Sequence, residues 1–134
     1  MKIKTSELTG QALDWAVAKA ESRVIIQFLG GGILVNGRTE LGAELDVEQG
    51  FNYMWHPSSS WAQAGPIIER ECIGILAYGH CSVAPKNPEY WEAAMDATNE
   101  SITHYGSTSL IAAMRCYVAS KLGTELEGHA RYLW

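Results

Sequence analysis

A chain of 134 residues, 47% hydrophobic and 19% charged, is long enough for one domain with its own core and too apolar for a disordered segment. Its net charge of -5 argues against general nucleic-acid binding, which needs a basic face. Its longest apolar runs, Val24-Ile25-Ile26 and Ile73-Gly74-Ile75-Leu76-Ala77, are far too short to cross a bilayer, so no membrane association is expected.

The first element predicted is a helix from Thr9 to Glu21. Thr9 serves as its cap, and Leu13, Ala16, Val17 and Ala20 form one apolar stripe. Arg23 to Leu29 is rich in β-branched residues and reads as a strand. Gly30-Gly31-Gly32 ends it, Ile33-Leu34-Val35 pairs back, and Asn36-Gly37 is a further turn signal. Residues 44–51 are ambiguous. Pro66 resembles the first position of a short helix, and Cys72 to Tyr78 reads as a buried strand. Gly79 to Pro88 is a loop. Tyr90 to Met95 is a strand or a helical turn. A helix from Ser109 to Leu122 closes the strong signals, capped by Ser107 or Thr108, with Lys121 in its last turn and Gly123 after it. The expected fold is α+β, with a small, mainly antiparallel sheet flanked by an N-terminal and a C-terminal helix. One domain is expected over 1–134.

The segment Trp55-His56-Pro57-Ser58-Ser59-Ser60-Trp61-Ala62-Gln63-Ala64-Gly65-Pro66 carries the most chemistry. Hydroxyls and amides at this density do not suit a core, because buried polar groups need partners. Two indoles do not suit a linker. A rigid loop with flat apolar walls and polar tips suits a small polar ligand with an aromatic part. Trp55 and Trp61 can sandwich a ring, and His56, Ser58, Ser59 and Ser60 can meet its polar groups. Gln63 can read an edge, and Arg70 can pair with a phosphate. The N–H groups opening a helix after Gly65 add an anion site. The competing reading is structural: Trp61 anchors the loop, the serines make turns, and Glu69 and Arg70 form a surface ion pair. Thr108, at the start of the last helix, and Arg115, within it, are further ligand candidates. A plain cap and an arginine stem lying over the core explain them equally well.

Other chemistry is thinner. His56-Pro57-Ser58 and His80-Cys81-Ser82 both fit the H-x-[ST] pattern of two-histidine phosphoesterases, but the interval between them is short. No metal-ligand spacing occurs, and nothing calls for a cofactor. The odd set Cys72, Cys81 and Cys116 reads as buried thiols in a reducing compartment, and the N-terminus lacks the apolar core of a secretion signal.

Three blocks then act together: residues 1–18, residues 57–71 with the run Pro57-Ser58-Ser59-Ser60-Trp61-Ala62-Gln63-Ala64-Gly65-Pro66, and residues 110–119 with Leu110-Ile111-Ala112-Ala113-Met114-Arg115. In this order the chain resembles the phage NinX-like proteins, small accessory proteins of bacteriophages and prophages. The family pattern places an Asp before the second loop tryptophan, where this chain has Ser60, and a Gly after Gln63, where it has Ala64. That departure favours binding over chemistry dependent on the Asp. The resemblance implies expression in the host bacterial cytoplasm and a role against host defence. By analogy with phage sponges, the expected ligand is a nucleotide-derived immune signal, a cyclic dinucleotide or an ADP-ribose derivative, held without turnover. A homodimer or higher oligomer is expected, with Trp91 or Trp134 at the interface. The alternatives are a module that inhibits a host protein through exposed tryptophans, and a phosphodiesterase using His56 and His80.

Overall fold

The computed structural model describes residues 2–29, 32–39, 52–77, 91–97 and 99–128. Strand β1 (Lys2–Lys4) leads through a 3-10 turn at Thr5–Glu7 into helix α1 (Gly10–Ala20). Strands β2 (Arg23–Leu29), β3 (Gly32–Thr39) and β4 (Asn52–Trp55) follow, then helix α2 (Trp61–Arg70). Strands β5 (Gly74–Ala77), β6 (Trp91–Ala97) and β7 (Glu100–Gly106) come next, then helix α3 (Ser109–Leu122) and strand β8 (Glu125–Glu127). The architecture is α+β, with every strand pairing antiparallel: β1 with β8, β2-β3-β4 in one sheet and β5-β6-β7 in another. Among the described residues the strands lie in three small sheets rather than a single one.

The two flanking helices stand where the apolar periodicity places them, and α3 fills the middle of the molecule. Its residues from Ala112 to Ala119 are all buried. Ala112, Ala113, Met114, Cys116, Tyr117 and Val118 join Leu13, Ala16 and Val17 of α1, Ile33 and Val35 of β3, and Ala93 and Met95 of β6 in one core. Thr108 caps α3 through its hydroxyl, which accepts from the Ile111 N–H at 3.1 Å. Gly123 ends α3 at φ +89°, a conformation that only glycine adopts without strain. Gly106 is required for a different reason. A Cβ there would stand 2.6 Å from the Ala112 nitrogen, so β7 meets the first turn of α3 at backbone distance.

Several sequence expectations are corrected. Helix α2 starts at Trp61 rather than Pro66, because the Ser60 hydroxyl accepts from the Gln63 N–H and caps it. Pro66 lies inside the helix, at an exposed position, where its missing N–H leaves the Ala62 carbonyl without its helical donor. Asn36-Gly37 is not a turn. Strand β3 runs through it, and the Asn36 side chain donates to the Asn52 side chain on β4 at 3.0 Å. The strand expected to be buried over 72–78 is the four-residue β5, at one side of its sheet, with Leu76 exposed. Cys72 is exposed rather than buried. Cys116 is buried; its thiol meets the Ile102 carbonyl at 3.3 Å, and burial pushes its pKa up to about 11. Cys81, His80, Trp134 and the ambiguous stretch 44–51 lie outside the described residues.

Candidate functional site

The loop between β4 and α2 is held from three directions. From below, α1 supplies Asp14, which is 5% exposed. The Asp14 carboxylate accepts the Ser58 N–H at 2.8 Å, and its backbone carbonyl accepts the Trp55 indole N–H at 3.1 Å. Burial raises the Asp14 pKa, while hydrogen bonds from Ser58 and the nearby His56 act in the opposite direction. From the side, the Gln63 amide closes a clamp: its NH2 donates to the Met54 carbonyl at 2.6 Å, and its oxygen accepts the His56 N–H at 2.7 Å. From within, the Ser59 and Ser60 N–H groups both donate to the His56 carbonyl at 3.0 Å. Pro57 is fully buried beneath the turn.

The two indoles face opposite environments. Trp55 is 1% exposed and lies in the core, where it pairs with Ile33 across the sheet. The Arg23 guanidinium stands 4.2 Å from its ring, and Tyr53 meets it edge-on at 6.4 Å between centroids. Trp61, the first residue of α2, is 57% exposed. They therefore share no cleft that could sandwich a ring. His56 and Ser59 are also exposed, with the Ser59 hydroxyl 3.5 Å from His56 Nδ1 and within 3.3 Å of the His56 carbonyl. The outward tip thus combines an indole, an imidazole and a hydroxyl on a fixed backbone.

The remaining candidates are structurally engaged. Ser60 and Thr108 are helix caps, and Ser58 and Gln63 are tied into the loop. Arg70 sits at the far end of α2, about 13 Å from Trp61 along the helix. It grips Glu21 at the end of α1 with both terminal nitrogens, at 2.7 and 3.4 Å, and donates to the Tyr117 hydroxyl at 3.2 Å. The Tyr117 hydroxyl in turn donates to Glu21. Lys121 repeats the arrangement one helix later, 2.9 Å from Glu71. Burial of Tyr117, then its bond to Glu21, pushes the phenol far above its ordinary pKa. Arg115 is 3% exposed and braces the interior: Nε donates to the Leu8 carbonyl at 2.8 Å and Nη1 to the Tyr105 carbonyl at 2.7 Å.

Sequence reasoning missed Asp14, because an acidic residue within an amphipathic helix reads as solvated. Its position between Leu13 and Trp15, beside the apolar stripe, was the available signal. It also missed the α2 cap, although Ser60 followed three residues later by Gln63 has the capping-box spacing.

Residues 4–121 match the family model of Bacteriophage P22, NinX. The chain belongs to this family. The match takes in the pinned loop, α1, α2 and nearly all of α3. No curated protein matches the chain. Membership makes this a phage accessory protein, as the three sequence blocks implied. No helix among the described residues is long and apolar enough to cross a membrane.

Proposed function

We propose that this NinX-family protein acts by binding, and that the tip formed by His56, Ser59 and Trp61 captures a nucleotide-derived host signal in the cytoplasm of the infected bacterium without turning it over. The observation that carries this reading is the 57% exposure of Trp61 on a loop fixed by Asp14 and Gln63. A flat apolar ring held in water on a rigid backbone is a ready stacking surface, and stacking on an aromatic side chain contributes roughly 1–3 kcal/mol per base. His56 and Ser59 beside it offer hydrogen bonds to phosphate or ribose oxygens. A single indole covers only one face of a base, so a second copy of the chain is proposed to cover the other, consistent with a homo-oligomeric sponge.

Titration calorimetry against cyclic dinucleotides and ADP-ribose derivatives tests the reading. A saturating signal with one of them, reduced about tenfold or more in affinity by Trp61→Ala, supports it. Heat-released ligand should be chemically intact. Silence across the whole panel at micromolar protein overturns it.

A second reading, a module that grips a host protein, is favoured by a specific feature. Ile26 of β2 and Met54 of β4 are exposed apolar side chains on the sheet that leads into the loop, and Met54 supplies the carbonyl held by Gln63. A stoichiometric protein partner that is lost in Trp61→Ala, together with silence toward nucleotides, selects this reading.

A further inference from the structure

A cleft of about 210 Å³ is lined by Lys4 of β1, Ser6 of the 3-10 turn, His104 of β7, and Thr124 and Glu125 at the start of β8. Among the described residues, none of these five side chains makes a hydrogen bond or ion pair within the protein. Lys4 and Glu125 are direct partners across the β1–β8 ribbon and still form no ion pair. Five polar residues therefore line one space, four of them exposed and His104 half-buried. His104 is half-buried and opposite Ala93 of β6, on the inward face of β7. The buried Arg115 guanidinium lies behind it, fixed to the carbonyl of the next residue, Tyr105. Lys4 and Glu125 line the cleft with opposite charges, and the buried Arg115 guanidinium acts on His104 from behind. The volume falls below the roughly 300–1,000 Å³ of drug-sized pockets, so the occupant is small.

We propose that this cleft binds a small oxyanion, a carboxylate or phosphate group. The Lys4 ammonium is its counter-ion, the Ser6 and Thr124 hydroxyls are donors, and the His104 imidazole is the inner wall. Binding is coupled to a proton. Burial, and then the charge of Arg115, hold the His104 imidazole below its ordinary range. A bound anion opposes the field of Arg115 and favours the imidazolium, which adds a second charged donor. Glu125 stands at the site as a repulsive group and keeps affinity modest.

The test is an NMR titration of the His104 ring protons with inorganic phosphate and, separately, with acetate. The two arms distinguish a phosphate from a carboxylate preference. A saturable shift with at least one anion is expected, with the His104 pKa moving upward as the site fills. Lys4→Gln is expected to weaken binding about tenfold and Glu125→Gln to strengthen it; both residues are exposed, so the fold tolerates the changes. The proposal is overturned if the ring protons stay unmoved by either anion up to about 50 mM, well into the weak-affinity range. It is equally overturned if the two variants respond as the unaltered protein does.

Discussion

Among the described residues, the stretches from α1 to β4 and from α2 to β7 follow one order of elements: a helix, a residue in the left-handed region, and three antiparallel strands. The left-handed residue is Ser22 at φ 55° in the first and Cys72 at φ 54° in the second. Each stretch then feeds a helix capped by a hydroxyl, Ser60 or Thr108. Even the electrostatic tie recurs, with Arg70 of α2 on Glu21 and Lys121 of α3 on Glu71. The two stretches differ in the connection from last strand to helix. In the second, only Ser107 and Thr108 intervene, and Gly106 lies against the backbone of α3. In the first, His56 to Ser60 intervene, and the added residues lift an imidazole, a hydroxyl and an indole into solvent. The same junction is closed by backbone contact in one place and opened into a chemically equipped tip in the other.

The largest expected effect separates the two ends of that tip. Trp55→Ala removes a buried indole and should cost about 3–5 kcal/mol in urea unfolding. Trp61→Ala should stay within about 0.5 kcal/mol in the same measurement. Equal costs would break the comparison, since Trp61 would then be a packing residue. Next comes the closed junction: Gly106→Ala forces a methyl against the Ala112 nitrogen and should cost about 1–3 kcal/mol. The two caps come third. Thr108→Ala should cost about 1 kcal/mol, and Ser60→Ala less, because its contact is 3.4 Å rather than 3.1 Å. The smallest effect is a pH dependence confined to the open junction. The folded-state pKa of Asp14 is raised, so the folded protein holds this proton more tightly than the unfolded chain. The contribution of Asp14 to stability is therefore greatest below the unfolded carboxyl pKa and falls as pH rises through the folded one. Asp14→Asn keeps an acceptor for Ser58 and should remove that part of the slope when unfolding is followed across acidic pH.

What could be read from the chain follows its periodicity. α1 and α3 are legible from apolar residues at helical spacing, and β2 from its run of β-branched residues; the cap expected at Thr108 forms, while Thr9 stands at the N-cap position of α1 without a side-chain cap bond. The loop was legible as a loop with unusual chemistry. The sides its residues face were not: Trp55 and Trp61 are the same residue type a few positions apart, and only the pairing of Trp55 with Ile33 decides which one is interior. Pro66 misled because proline is common at the first turn of a helix, and an exposed position let it sit deeper. Strand β7 was missed because its inward positions include His104 beside Ile102, so alternation of apolar and polar residues does not mark it. Arg70 and Arg115 read as ligand partners because burial and pairing are tertiary facts. Glu21 lies 49 residues from Arg70, and Leu8 lies 107 from Arg115.

The Gln63 clamp has a kinetic consequence. With its amide spanning Met54 and His56, the turn already has a defined shape before any encounter. The docking proposed on Trp61 then needs no prior rearrangement, and on that proposal the observed association rate should climb linearly with ligand concentration, without a plateau. Severing the clamp with Gln63→Ala should introduce one, as the turn begins to interconvert on its own timescale.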